Sequence, residues 1–380
     1  MDYSKRKFIK YSTFIASAVA IPLLPSCTKT YDVDGLSSMP DENGLLLPPN
    51  CHSRIIARSG NKVKNSDYEW HAAPDGGGVL PTEDGGWIYV SNSEMKNKKG
   101  GVGAIQFNSN GDITTSYSIL EGTERNCGGC VTPWNTWLSC EEFRDGITWE
   151  CDPYGKVAAV ARPKLGAFTH ESIAIDPKTH VLYLTEDTTD SCFYRFLPAQ
   201  ISNGKADLSD GILEIAVVDN NESVTWMKID DPLAKLVATR RQRQGATKFN
   251  GGEGIVYNKG KIFFDTKGDN RIWKYDIQSN RLTLFYDANS FKTPILTGVD
   301  TIAVYQDNLF VCEDGGNMQI VAITPQHQIK PILQLVGHDD SEITGVAIAP
   351  DKSRLYFNSQ RGTTGRPEDA ITFEVVGSLI

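Results

Sequence analysis

The sequence predicts an all-β protein, a single-domain six-bladed β-propeller, on two observations. A unit of two short alternating strands that begins near an acidic residue is clearest in Thr297–Gly316 and recurs in three other places, and two looser copies, Gly76–Glu94 and Cys127–Glu142, bring the total to six. The second strands of these units end near residues 92, 141, 186, 265, 312 and 358, so four of the five spacings are about 45–49 residues and one is about 79. Repeats of about 40–50 residues that contain several short strands are typical of propeller blades.

The first 27 residues predict an export signal with a lipidation site. Ser4–Lys10 is basic, an apolar stretch continues to Leu24, and Leu24-Pro25-Ser26-Cys27 is similar to a bacterial lipobox. The basic head resembles the twin-arginine export motif, with Lys5 in place of the first arginine. We therefore expect Cys27 to be lipidated and the protein to be exported to the periplasm, the outer membrane or the cell surface of a bacterium. An ordinary signal peptide is the alternative.

The rest of the chain divides into a polar tether over residues 28–53 and a propeller over residues 54–380. The wide spacing between the third and fourth units predicts a long insertion at about residues 199–250. Part of this insertion, Pro232–Arg243, is expected to be helical. Its basic cluster, Arg240–Arg243, either faces solvent or binds an anionic substrate.

Composition narrows the classes of partner. The chain has 380 residues and a net charge of −9, which argues against nucleic acid and is compatible with bound cations. The apolar N-terminal run is too short for a membrane span, so a lipid anchor is the expected membrane contact. A six-bladed propeller can close on itself, and we expect a monomer. An exported protein can form disulfides, but the sequence does not choose among the possible cysteine pairings, and Cys127 with Cys130 could also be a redox pair.

The residue that begins the first strand of each blade is expected to face the mouth of the central channel. In the six units these residues are Gly77, Cys127, Glu171, Glu253, Asp300 and Glu342. Carboxylates held close together repel one another, and a bound polyvalent cation relieves that repulsion. Oxygen donors suit calcium, and a thiolate among them favours a transition metal. The sequence therefore predicts a mixed metal site, with turn or strand-capping roles for the separate acids as the alternative.

The body of the chain, about residues 54–379, resembles the PhoX family of secreted bacterial alkaline phosphatases. The resemblance is carried by motifs in the same order: Asn92-Ser93-Glu94, Asn126–Trp137 with Cys140-Glu141-Glu142, Phe168–Glu171, Gly252-Glu253-Gly254, Val299-Asp300, Cys312–Gly315 and Ser341–Gly345. The closing patterns Ser341–Gly345 and Asn358–Gly362 make the chain more similar to the shorter, uncharacterised branch of the family.

The resemblance implies a cluster of ferric iron (Fe3+) and calcium ions (Ca2+) at one mouth of the propeller, and an exported phosphoesterase that acts on small phosphate esters. It implies that Cys127 binds iron and that the other ligands or their neighbours are Glu171, Glu253, Asp300, Glu94 and Glu313. The family's phosphatases have an arginine at the position of Gly251, so Arg361 is a candidate to bind substrate instead. No catalytic residue is assigned. A calcium-dependent lactonase-type hydrolase and a non-catalytic surface propeller are the alternatives.

Overall fold

Six antiparallel sheets of four or five strands surround a common axis in the computed structural model, which describes residues 30–378. The first strand of each sheet contacts the first strands of its two neighbours, and these contacts continue around the whole ring. The predicted six-bladed β-propeller is confirmed. Cys27 and the export signal lie outside the described residues.

The strands of the first half of the chain form three blades. Two strands precede them, β1 (Leu45–Leu46) and β2 (His52–Arg58). The first blade consists of β3 (Pro74–Pro81), β4 (Trp87–Ser93), β5 (Gly100–Phe107) and β6 (Ile113–Thr123). The second consists of β7 (Asn126–Val131), β8 (Trp137–Glu141), β9 (Thr148–Cys151) and β10 (Val160–Ala161). The third begins with β11 (His170–Ile175), β12 (Leu182–Glu186) and β13 (Tyr194–Pro198).

The predicted insertion at about residues 199–250 completes the third blade. It contains a hairpin, β14 (Ile201–Ser202) and β15 (Lys205–Ala206), and then the outer strands β16 (Gly211–Val218) and β17 (Val224–Lys228). The expected helix at Pro232–Arg243 is wrong, because only Thr239–Arg241 forms a single 3₁₀ turn. Ala234 has a positive φ of 51°, which an α-helix does not allow.

The remaining three blades follow regularly. The fourth consists of β18 (Gly252–Asn258), β19 (Lys261–Thr266), β20 (Arg271–Asp276) and β21 (Arg281–Asp287). The fifth contains β22 (Val299–Tyr305), β23 (Asn308–Glu313), β24 (Gln319–Ile323) and β25 (Ile329–Leu335). The sixth contains β26 (Ile343–Ile348), β27 (Arg354–Ser359) and β28 (Ile371–Val376). Other 3₁₀ turns are Pro163–Leu165, Lys267–Asp269, Ala288–Ser290 and Pro367–Asp369.

The N-terminal strands complete the last two blades. Strand β2 pairs with β28 as the outer strand of the sixth blade, and β1 pairs with β25 of the fifth. Leu45, Leu46 and Leu47 are buried. The expectation of a polar tether over residues 28–53 is therefore wrong for residues 45–47 and 52–53, because burial of the three leucine side chains stabilises the fold and β2 begins at His52. Pairing a strand from near the N-terminus with one from near the C-terminus in a single sheet ties the ring closed.

Aromatic side chains fill the space between neighbouring blades. The ring of Tyr89 in the first blade stacks on Tyr356 in the sixth, with centroids 5.1 Å apart, and Trp87 Nε1 donates a hydrogen bond to the Tyr356 hydroxyl. The seven described cysteines are free thiols. Within residues 30–378, no helix has the length and hydrophobicity needed to cross a membrane.

Candidate metal centre at one mouth of the channel

Five of the six blades share one irregularity at the second residue of the first strand; in the sixth blade it begins one residue later, at Gly345, which is not part of the cavity lining. In each, two consecutive residues of the first strand face a single residue of the second, which is a β-bulge. A bulge interrupts the alternation of side chains and can turn one of them in a new direction. In these five blades the first residue of the bulge lines the same cavity: Asp75, Cys127, Glu171, Glu253 and Asp300.

Glycine follows the cavity-lining residue where neighbouring blades come closest. A Cβ atom on Gly128 would lie 2.4 Å from the Glu171 carbonyl oxygen, and one on Gly254 would lie 2.5 Å from the Asp300 carbonyl oxygen. Side chains cannot approach a backbone so closely. These glycines therefore allow the bulges of consecutive blades to stack, which brings the ligand-type side chains together.

A second set of cavity-lining residues comes directly after the second strand in the first five blades. The residue is Lys267 in the fourth blade, and in the first, second, third and fifth blades it is an acid: Glu94, Glu142, Asp187 and Asp314. The sixth blade contributes Glu342, just before its first strand, and Arg361. The cavity has a volume of about 210 Å3, and its lining contains nine carboxyl groups, one thiol and two basic side chains.

The donor atoms lie close enough to share ions. They form four overlapping groups in which the donor atoms lie within 4.8 Å of one another: Cys127–Glu142–Glu171, Asp75–Glu94–Glu342, Glu171–Glu253–Asp300 and Asp300–Asp314–Glu342. The Cys127 thiol donates a hydrogen bond to Glu171 Oε1 over 3.1 Å. Gln360 Nε2 donates to Asp75 Oδ2 over 2.6 Å and to Glu94 Oε2 over 3.0 Å.

Burial of so many acids perturbs their protonation. Burial, reinforced by neighbouring carboxylates, raises the pKa of Asp75, Glu171 and Glu342 well above the ordinary values. The same two causes raise the pKa of Glu142 to about 9 and the pKa of the Cys127 thiol well above its ordinary value. With every carboxyl group ionised and the thiol neutral, the lining would carry a charge of −7. The cavity therefore has to hold either protons or cations.

These side chains fit bound metal ions. Clustered carboxylate oxygens are the donors that calcium prefers, and the group of Cys127, Glu142 and Glu171 adds the sulfur donor that suits a softer transition metal. Asn92 positions this part of the cavity, because its Nδ2 donates to the carbonyl oxygens of Cys127 and Gly128 over 2.5 and 2.7 Å.

Most of the residues proposed from the sequence come together in this cavity. The structure places Cys127, Glu171, Glu253, Asp300, Glu94 and Arg361 in its lining. Glu313 lies outside it. Its two carboxylate oxygens accept hydrogen bonds from the backbone N–H groups of Thr297 (2.9 Å) and Gln319 (3.0 Å), so its neighbour Asp314 faces the cavity instead. In the first blade, Asp75 rather than Gly77 lines the cavity, because the bulge begins at Asp75, two residues before the entry position that the sequence predicted.

The structure adds five residues that the sequence analysis did not assign to the site: Asp75, Glu142, Asp187, Lys267 and Asp314. The signal for three of them was present in the acidic pairs 141–142, 186–187 and 313–314. In each pair the first acid is the last residue of a strand and accepts local hydrogen bonds, and the second lines the cavity. Lys267 gave no comparable signal.

The basic cluster Arg240–Arg243 forms structural ion pairs. Arg240 contacts Glu186 over 2.9 Å and Asp190 over 2.8 Å, and Arg243 contacts Asp230 over 2.5 Å. None of these residues lines the cavity. The cluster therefore ties the third blade together, which neither of the two sequence interpretations predicted.

Together the fold and the cavity define a class of protein, a six-bladed propeller with cation-binding donors at one mouth of its channel. A model of the alkaline phosphatase PhoX family matches residues 52–150 and 144–362. The chain belongs to this family. No curated protein sequence matches it.

Solved structures support the fold. Pseudomonas fluorescens PhoX in complex with vanadate, a transition-state analogue, aligns with a TM-score of 0.73 and 17% identity, over 92% of this chain and 98% of that one. A gluconolactonase from Xanthomonas campestris aligns with a TM-score of 0.52 and 11% identity, over 86% and 90% of the two chains. A protein of unknown function from Bacteroides thetaiotaomicron aligns with a TM-score of 0.52 and 10% identity, over 86% and 76%.

Proposed function

We propose that this protein is an exported, metal-dependent phosphoesterase that hydrolyses small phosphate esters at the acidic mouth of the propeller. Family membership supports the reaction class. The observation that carries the proposal is the convergence of nine carboxyl groups and the Cys127 thiol on one cavity of about 210 Å3. Such a lining suits a site whose occupants are cations and an anionic group bound to them.

Different donor groups of the cavity would bind different ions. Cys127, Glu142 and Glu171 would hold iron (Fe3+), since this group alone offers sulfur among the described donor groups. The groups of carboxyl oxygens alone, which include Asp75, Glu94, Glu253, Asp300 and Glu342, would hold calcium. When bound, such ions act as Lewis acids toward phosphate oxygens and lower the pKa of water.

One basic side chain of the lining, Arg361, would bind the substrate's phosphate. The Arg361 side chain lines the cavity and is 29% exposed, and its Nη2 lies 3.0 Å from Glu342 Oε2 and 3.4 Å from Asp314 Oδ1. The positive φ of 70° at Gly251 disfavours an arginine there, and Arg361 offers a guanidinium from another blade. Asp314, Glu342, the Asp340 carbonyl oxygen and Gln360 Oε1 fix the position of this side chain. Arg361 would therefore present its one remaining N–H group, on Nη1, to phosphate with little loss of conformational freedom.

The N-terminal sequence sets the location in this proposal. In this proposal the protein is an exported monomer, and lipidation of Cys27 provides its one attachment to the membrane. The acidic mouth would then lie outside the cytoplasm, in contact with environmental calcium. Phosphate esters outside the cell would be the substrates.

The test is hydrolysis of p-nitrophenyl phosphate by purified protein before chelation, after chelation and after reloading with Ca2+ and Fe3+. We expect activity to disappear with EDTA and to return only with the metals. Arg361→Ala should raise KM about 10- to 100-fold, corresponding to one charge-assisted hydrogen bond of about 1.5–3 kcal/mol. The control Arg366→Ala removes an exposed arginine that pairs with Asp369, outside the cavity lining, and should leave KM unchanged.

Two outcomes would contradict the proposal. Metal-loaded protein that hydrolyses a lactone with calcium alone, and no phosphate ester, would indicate the lactonase-type alternative. Protein that holds its metals but hydrolyses neither substrate would indicate a non-catalytic propeller.

A further inference from the structure

Lys267 lies among the carboxyl groups of the cavity as the centre of three ion pairs. Its Nζ is 3.1 Å from Glu253 Oε1, 3.4 Å from Asp300 Oδ2 and 3.4 Å from Asp314 Oδ2. The side chain is 34% exposed, whereas those of Glu253 and Asp300 are 2% and 8% exposed. A lysine side chain is charged at neutral pH, and three carboxyl groups within 3.4 Å of Nζ favour the charged ammonium of Lys267.

The position of Lys267 in the repeat is unusual. It is the residue directly after the second strand of the fourth blade, and in four other blades this position is an acid that lines the cavity: Glu94, Glu142, Asp187 and Asp314. The repeat thus places a cation where it otherwise places an anion. Replacing one acid by one lysine changes the charge of the cavity by two.

The ion pairs of the cavity are unevenly distributed. Lys267 and Arg361 together contact Glu253, Asp300, Asp314 and Glu342. Among the described residues, no lysine or arginine forms an ion pair with Glu142, Glu171, Asp75 or Glu94. One side of the cavity therefore carries its own compensating charge, and the side around Cys127 does not.

An ammonium and a metal ion compete for these oxygens. Calcium binds carboxylate oxygens at about 2.3–2.6 Å, and each of its ligands must turn a lone pair toward it. The oxygens that face Lys267 Nζ belong to two of the four donor groups, Glu171–Glu253–Asp300 and Asp300–Asp314–Glu342. A second cation at that point would lie against the ammonium and be repelled by it.

From this geometry we infer that Lys267 takes the place of one metal ion, so that the cavity binds one cation fewer than its carboxyl groups could hold. The inference rests on the proposed function only in that the cavity binds cations. It predicts that removing the ammonium opens an additional calcium site between Glu253, Asp300 and Asp314.

The experiment is calorimetric titration of chelator-treated protein with CaCl2, with calcium counted by mass spectrometry after desalting. Lys267→Gln should bind one more Ca2+ per chain than the wild type. Lys267→Arg keeps the positive charge and should bind the wild-type number. Lys274→Gln is the matched control, because Lys274 is a half-buried lysine of the same blade that does not line the cavity.

Thermal melting curves of the wild type and of Lys267→Gln show whether each protein is folded. In EDTA, Lys267→Gln should melt below the wild type because three carboxyl groups lose their counter-charge, and calcium should raise its melting temperature more than it raises that of the wild type. Equal calcium numbers and equal calcium-induced shifts in the two proteins would overturn the inference and leave the proposed function intact. A wild type that binds no calcium would contradict the proposed function, and the inference would then hold only if Lys267→Gln gained an ion.

Discussion

Asn92 makes four hydrogen bonds that hold the second blade's bulge in place, and its removal gives a prediction with a calculable size. Its Nδ2 donates to the Cys127 and Gly128 carbonyl oxygens, and its Oδ1 accepts from Trp137 Nε1 and Ser139 Oγ, both over 2.9 Å. Asn92 is fully buried, so water cannot replace it. At about 1 kcal/mol for each bond, Asn92→Ala should lower the free energy of unfolding by about 4 kcal/mol.

The assay is urea denaturation at equilibrium with calcium present. Asn92→Asp keeps an acceptor for Trp137 and Ser139 but loses the donor to the two carbonyl groups, so it should also be destabilised. Asn289→Ala is the control, because Asn289 is an exposed residue of a turn, and its change should stay within about 0.5 kcal/mol. A loss below about 1 kcal/mol for Asn92→Ala would refute the view that this side chain holds the bulge.

Two further predictions concern charge. The Glu142 pKa of about 9 lies above its ordinary 4.5, so the metal-free fold gains stability from this group at low pH and loses it as the pH rises toward 9. Urea midpoints in EDTA should fall over this range, and reloading with Fe3+, the ion assigned to Glu142, should remove the fall. A flat profile in EDTA would contradict the assigned burial. Arg240→Ala leaves the fully buried Glu186 without its counter-ion and should lower the free energy of unfolding by about 3–5 kcal/mol in the same denaturation assay. The side chain of Arg241 is 65% exposed, so Arg241→Ala should lower it by under about 1 kcal/mol. Equal losses for the two variants would show that the Arg240 pair is not structural.

The blades could be predicted from the sequence because each one carries its own signal. Alternating strands and an acid at the start of the unit are local features, and they recur with nearly constant spacing. The equivalent position of each repeat identified four residues of the site: Cys127, Glu171, Glu253 and Asp300. In the structure each of them begins a bulge of the same form. Local repetition thus identified both the architecture and part of the site.

The rest depended on pairings between distant residues. Asp75 replaces Gly77 because the bulge is defined by the register with β4, which the sequence does not state. Asp314 replaces Glu313 because the carboxylate of Glu313 accepts hydrogen bonds from the backbone of Gln319 in β24 and of Thr297, just before β22. The N-terminal leucines seemed to belong to a tether because their partner strand, β25, lies almost 300 residues away. A lone lysine after a strand is common in turns, so Lys267 could not be recognised without its three partners.

The central claim about this protein is that its acidic mouth holds metal through Cys127. The direct measurement is the metal content of purified wild-type and Cys127→Ser protein, with the visible absorption spectrum of each. We predict iron, calcium and a thiolate-to-iron charge-transfer band in the wild type, and loss of the iron and the band in Cys127→Ser while calcium remains. Iron content unchanged in Cys127→Ser would contradict the assigned ligand, and a wild type without bound metal would contradict the account as a whole.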